Sequence, residues 1–295
     1  MSGKLVIYHA GCWDGFCSAW LLWQRFPDAE FMPAQYGDHR PDKSKIEGRD
    51  VYIVDFSYPR PILQQLYEWS ASLIVLDHHK TAAKELDKLP YCVFDMAKSG
   101  ARLTHEYIDR AIDGVTSGLG TPPHWMVAYV EDRDLWNWEL SHSRAVNAFL
   151  RSHPLDFETW RRIAKIEWDT DEFDAIVREG EAILRAEQQT VEAKVSQSHL
   201  VAVARPQNWS DDDSLFWSNW KVTNATTLVS ETGEALAKET GVGCCWFELP
   251  SGERVYSLRA VAESNVDVSE IAKAFGGGGH KNAAGFRAWI HPWSV

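Results

Sequence analysis

The chain predicts an α/β protein in three parts: an N-terminal parallel-sheet domain, a helical connector and a smaller C-terminal α/β domain. Three observations carry this expectation. Apolar runs at residues 4–9, 51–54 and 73–76 each precede a helical pattern, which is the rhythm of βαβ units. A stretch of helical periodicity then fills residues 141–198, and from His199 the texture changes to short β-like runs. The expected divisions are therefore 1–140, 141–198 and 199–295.

Taken in order, residues 4–9 read as a buried strand, followed by a turn between Gly11 and Gly15. Residues 16–26 carry apolar side chains on both helical faces, as a buried helix does. A second strand at 51–54 precedes Pro59 and Pro61, which suit the first turn of a helix. The third, at 73–76, ends in Asp77-His78-His79. Helices are expected at 99–112, 122–131, 141–152, 156–168 and 171–195. In the last part, strands are expected at 200–204, 243–249 and 255–259, and helices at 230–238 and 267–275. Asp267 and Glu270 have capping-box spacing at the start of that final helix.

Composition narrows the function. The 295 residues suffice for two cores, and 45% apolar with 24% charged residues is a globular balance. Five cysteines without a C-x-x-C pair argue against a disulfide framework and for a reducing, cytoplasmic setting. No signal peptide or membrane-length apolar run is expected. A formal charge of −12 opposes the grip on long duplex DNA, which needs a basic face. Most of the 15 tryptophans are expected in cores, while Trp136 and Trp138, beside a candidate ligand, invite a stacking role.

The chemistry gathers at strand ends. His9 and Asp14 follow the first strand, Asp55 the second, and Asp77, His78 and His79 the third. Ligands of open parallel sheets sit outside the carboxyl ends of the strands, so these groups are expected to converge. Crowded carboxylates repel one another, and divalent cations remove that conflict. An oxygen and imidazole set suits Mn²⁺, Mg²⁺ or Fe²⁺. Taken alone, Asp14 and Asp55 each read more readily as a helix N-cap, and His9 as a structural histidine; the triplet lifts all three toward the metal reading. Within residues 131–134 (Glu-Asp-Arg-Asp) the choice falls on Asp132 as a further ligand, with Asp134 second. Far downstream, Gly276 to Gly279 followed by His280, Lys281 and Asn282 reads as a glycine-rich loop presenting N–H groups and cations to phosphate. The bland alternative there is a plain surface loop.

These residues resemble the DHH phosphoesterase superfamily, named for the triplet seen here as Asp77-His78-His79. The superfamily includes RecJ exonucleases, short-oligoribonucleotide hydrolases, cyclic-dinucleotide phosphodiesterases and family II pyrophosphatases. The resemblance runs through residues 9–15, 51–55, the triplet and Asp132, then Ser257-Leu258-Arg259 and residues 276–285, GGGGHKNAAG. It implies a DHH domain followed by a DHH-associated domain. It implies two Mn²⁺ ions, with Mg²⁺ or Fe²⁺ as alternatives, bridged by Asp55. His9 would bind one ion, and Asp14, His78 and Asp132 the other. Asp77 would steady the ligands, and His79 would face the substrate. Arg259, Gly277, Gly278, Gly279, His280 and Lys281 would hold phosphate across a cleft. One departure stands out: Cys12 occupies the place of an expected acid, so it either ligates as a thiolate or stands aside.

The expected activity is hydrolysis of short oligonucleotides or dinucleotides, linear or cyclic, to nucleoside 5′-monophosphates. No membrane partner is expected, and self-association as a homodimer is left open. The alternatives are a nucleotide-binding regulator without turnover, an RNA-binding module, and a pyrophosphatase or mononucleotide phosphatase of the same superfamily.

Overall fold

The computed structural model describes residues 3–114, 124–203, 220–261, 264 and 266–293. The chain divides into two compact units, Met1–Leu184 and Arg185–Val295.

The first unit is built on a five-stranded sheet of β1 (Lys4–His9), β2 (Glu30–Ala34), β3 (Asp50–Val54), β4 (Ser72–Asp77) and β5 (Cys92–Phe94). Its order is β2-β1-β3-β4-β5 and every pairing is parallel. Period-2 alternation divides the strands between two cores. Leu5, Ile7, Val51, Ile53, Leu73 and Val75 meet Leu63 and Leu66 of α3 (Arg60–Trp69) on one face. Val6, Val54 and Leu76 meet Phe16, Trp20 and Leu22 of α1 (Trp13–Arg25) on the other. Strand β2 lacks alternation and contains Pro33, which an edge strand tolerates because no ladder bond is required of it there. Neither β2 nor the three-residue β5 was expected.

The remaining helices of this unit include α2 (Lys43–Ile46), α4 (Lys80–Glu85), α5 (Gly100–Tyr107), α6 (Trp125–Asp134), α7 (Ser143–Arg151) and α8 (Phe157–Ile163). One π-helical turn, Ile108–Ile112, extends α5. Of the helix expected at 122–131, residues 122 and 123 lie outside the described residues. The stretch expected as a connector packs into the first core as far as α9 (Asp171–Ser196), through Val146, Phe149, Leu150, Trp160, Phe173 and Ile176. The division between units falls within α9.

The second unit carries a mixed six-stranded sheet. Its strands are β6 (His199–Val201), β7 (Trp220–Asn224), β8 (Val242–Glu248), β9 (Arg254–Ala260), β10 (Gly278–His280) and β11 (Ala283–Ala288), in the order β10-β11-β9-β8-β7-β6. Only β7 and β8 pair in parallel, joined through α10 (Val229–Thr240). Trp220, Tyr256, Leu258, Phe286 and Trp293 form its core with Val268 and Ile271 of α11 (Val268–Ala274). The capping expectation holds in part, since the Asp267 carboxylate accepts from the Ser269 N–H rather than closing a reciprocal box. The end of the strand expected at 200–204 lies outside the described residues, where Ala204 falls. Among the described residues, no helix is long and apolar enough to cross a membrane.

Candidate metal centre

Strand order 2-1-3-4-5 places a topological switch between β1 and β3, because the chain leaves β1 toward β2 and returns past it to β3. His9 ends β1, and Asp55 directly follows β3. Asp14 sits in the first turn of α1, Asp77 ends β4, and His79 is the N-cap of α4. The convergence expected from strand ends is present. His78 Nε2 lies 3.2 Å from Asp55 Oδ1, 3.8 Å from Asp14 Oδ2 and 3.4 Å from Asp134 Oδ2. His9 Nδ1 lies 3.4 Å from Asp55 Oδ2. Within the first unit alone, two ligand-competent groups result, His9–Asp55–His79 and Asp14–Asp55–His78, and Asp55 belongs to both.

The backbone is shaped for this crowding. Asp55 has φ +53°, a left-handed conformation that Asp adopts more readily than most residues, and its N–H donates to the Leu76 carbonyl. A Cβ at Gly15 would stand 2.5 Å from the His9 carbonyl oxygen, and one at Gly100 2.6 Å from Asp55 Cβ. Neither position can carry a side chain without moving a ligand. The Asp14 carboxylate accepts from the N–H groups of Gly100 and Ala101 at 2.6 and 2.9 Å, anchoring it on the N-terminus of α5. Gly15 could have been flagged from sequence, since glycine inside a helical pattern costs stability. Gly100 gave no such signal.

The charges are in conflict. Burial pushes Asp14 well above the ordinary carboxylate range, and Asp55 and Asp134 push it further. Burial, with Asp55 adding, raises Asp134 as well. Against burial's upward push, the neighbouring rings of His78 and His9 hold Asp55 well below that range. Burial disfavours the charged His78 ring, yet Asp134, Asp55 and Asp14 raise it to about 11. Without a cation, the cluster therefore keeps protons that isolated groups would release. His9 Nδ1 and Asp55 Oδ2 are buried without a hydrogen-bond partner. Buried polar atoms without partners and carboxylates that hold protons are what a divalent cation would resolve, so the residues fit one.

Asp77 behaves as an orienting residue. Its Oδ1 accepts from the N–H groups of His78 and His79 and lies 2.7 Å from His79 Nδ1. Burial raises both sides of this pair's cost, but the Asp77 carboxylate still lifts His79, and His79 holds Asp77 low.

One expectation needs correcting, and two open readings are narrowed. Asp132 is not brought to the cluster; its carboxylate accepts from the N–H groups of Glu139 and Leu140, tying down the turn after α6, while Asp134 reaches His78. Cys12 belongs to neither ligand group; burial, then Asp55, Asp134 and Asp14, raise its thiol well above the usual value and keep it neutral. Trp136 and Trp138 have positive φ in the turn that Asp132 holds, and guanidinium groups already lie over them, Arg144 at 4.2 Å from Trp138 and Arg133 at 6.0 Å from Trp136.

In the second unit, the glycine run is not an open nest. Gly276, at φ +79°, and Gly277 close α11 in a Schellman arrangement, their N–H groups donating to the carbonyls of Lys273 and Ala272. Gly278, Gly279 and His280 then form β10, paired with Gly285, Ala284 and Ala283 of β11. A Cβ at Gly277 would stand 2.0 Å from the Gly285 carbonyl oxygen, so the glycines serve close backbone approach. Lys281 is exposed at the hairpin tip, beside Asn282, with its carbonyl accepting from the Val268 N–H. Arg259 is fixed rather than loosely solvated. Its guanidinium donates to Ser257 Oγ, the Leu258 carbonyl and Ser230 Oγ at 3.0, 2.8 and 2.6 Å. Gly233 leaves room for its stem, since a Cβ there would stand 2.8 Å from Arg259 Cγ.

No protein-family model matches the chain. An uncharacterized protein of Acanthamoeba polyphaga mimivirus is 29% identical over 309 aligned positions, which take in 95% of this chain and 66% of the relative. The chain thus spans just under two thirds of that relative's length. Among solved structures, RecJ in complex with Mn²⁺ from Thermus thermophilus is similar at a TM-score of 0.50 and 17% identity, over 96% of this chain and 49% of RecJ. A pGpG-specific phosphodiesterase from Vibrio cholerae is similar at a TM-score of 0.46 and 14% identity, over 98% of this chain and 94% of that one. The likeness to RecJ shows a shared fold: a parallel-sheet α/β domain with a smaller domain built on a mixed sheet.

Proposed function

We propose that this chain is a metal-dependent phosphoesterase of the DHH superfamily. We propose further that it cleaves the phosphodiester of short oligonucleotides or dinucleotides and releases nucleoside 5′-monophosphates. The observation that carries the reading is the shared carboxylate of Asp55, whose Oδ1 faces His78 while its Oδ2 faces His9. One ion would be held by His9 and Asp55, the other by Asp55, Asp14, His78 and Asp134. The oxygen and imidazole donors favour Mn²⁺, with Mg²⁺ or Fe²⁺ as alternatives. Divalent cations there supply positive charge against the developing phosphoryl oxyanion and acidify water.

The chain's own groups do the rest. The Asp77 carboxylate fixes a proton on His79 Nδ1 and stabilises a charged ring. His79 can then donate from Nε2 to the departing oxygen. Arg259, His280 and Lys281 are the proposed phosphate contacts of the second unit. A fixed guanidinium loses little freedom on binding, which favours Arg259 in that role.

Incubation with Mn²⁺ and a panel of dinucleotides, read by chromatography, tests the reaction. The expected result is mononucleotide release that stops on chelation. Binding without turnover would instead favour the regulator, and salt-sensitive RNA affinity without a metal requirement the RNA-binding module. Arg259→Lys should raise KM about tenfold, ~1.4 kcal/mol, because a point charge replaces a planar fork. Mn²⁺ affinity should not follow.

A further inference from the structure

Tyr36 follows β2 at the carboxyl edge of the parallel sheet. Its ring centroid lies 5.5 Å from that of His9 and 5.6 Å from that of His79, nearly perpendicular to each. The Phe56 ring packs against that of Tyr36 with centroids 4.9 Å apart. The ring is therefore held by three rings around it. Yet Tyr36 is 43% exposed, whereas its neighbours Phe56 and Tyr58 are 1% and 3% exposed. Burial normally hides a large aromatic ring, so a ring fixed beside candidate ligands and left open presents apolar surface where substrate would bind.

We propose that Tyr36 is the nucleobase platform of this centre, stacking on the base of the nucleotide whose phosphate lies at the His9–Asp55–His79 group. The inference rests on the phosphodiester reading and deepens it by naming what holds the nucleoside. A ring already packed against Phe56, His9 and His79 loses little freedom when a base settles on it. Stacking recognises the π-face that every base has, so the site accepts any base. It also needs no basic groove, which agrees with a chain whose formal charge is −12. One such ring serves one base, which favours short substrates over long strands.

The test compares wild type, Tyr36→Ala, Tyr36→Phe and Tyr36→Trp, loaded with Mn²⁺, on a linear dinucleotide and on its abasic counterpart. Tyr36→Ala should lower the preference in kcat/KM for the dinucleotide about tenfold, through KM, while Phe and Trp retain it. Equal losses on both substrates, or a loss of Mn²⁺ affinity in Tyr36→Ala, would overturn the platform and leave only a packing role. If wild type turns over neither substrate, the phosphodiester reading fails, and the platform is judged by binding alone. AMP must then bind the Mn²⁺-loaded protein more tightly than ribose 5-phosphate, and Tyr36→Ala must erase the difference; no difference in wild type overturns the inference.

Discussion

At the switch point of the parallel sheet, three carboxylates and two imidazoles stand within 4 Å of one another in a chain of contacts. At the edge of the mixed sheet, Gly277 and Gly279 bring backbone against backbone without a charge between them. The first region is under electrostatic tension that ions or protons relieve. The second holds its shape by the absence of side chains. One should therefore respond to metal and pH, and the other to added volume.

The largest contrast is expected from Asp55→Ala. Removing the shared carboxylate should cost at least about 10³-fold in turnover, ~4 kcal/mol of barrier, and abolish metal loading. Gly277→Ala should leave metal loading untouched. Metal content and turnover measured side by side separate the two, and a Gly277→Ala protein that folds yet loses its metal would break the contrast.

Next in size is the choice between two neighbouring acids. Asp134→Asn should weaken metal affinity about 10–100-fold, by analogy with losses of groups that support a metal shell. Asp132→Asn should cost only about 1 kcal/mol of stability, through the weakened hold on the turn at Glu139 and Leu140. Calorimetric Mn²⁺ titration of both variants decides, and the reverse ranking would restore Asp132 as the ligand.

Added volume gives a smaller effect of similar size in both regions. Gly100→Ala and Gly277→Ala should each destabilise by about 1–3 kcal/mol, because the new Cβ meets neighbours at contacts that cannot relax freely. Only Gly100→Ala should also weaken Mn²⁺ binding, since its Cβ would press on Asp55 and Asp14. Denaturant midpoints with and without metal read this directly.

The pH response is subtler. His78 is raised to about 11, so its proton stabilises the metal-free fold fully below its ordinary value and is lost as pH climbs through about 11. Asp14 and Asp134 are also raised, so the unfolded chain releases those protons first and stability falls as pH rises past the ordinary carboxylate range. Cation binding must displace the same protons. The Tm gained on adding Mn²⁺ should therefore grow between about pH 5 and about pH 8. A constant gain would mean that the ions bind elsewhere.

What was legible in the sequence follows the same division. Strands β1, β3 and β4 announced themselves by apolar runs, and the polar groups at their ends fell where parallel sheets gather ligands. Asp134 ranks second to Asp132 in the sequence because spacing along a helix does not say which of two acids turns inward. Strand β2 was hidden by Pro33 and by the missing alternation of an edge. The glycine run was visible, but its division into a helix stop and a paired strand was not, because that depends on where Ala272 and Gly285 lie. Tyr36 gave no signal, since an aromatic residue in a loop acquires meaning only from the rings around it.

The most direct measurement is Mn²⁺ stoichiometry by titration calorimetry and elemental analysis on wild type and Asp55→Asn. The shared carboxylate predicts two ions per chain in wild type and a failure of both sites to fill normally in the variant. A wild type that takes up no ions, or a variant that binds two with unchanged affinity, would contradict it.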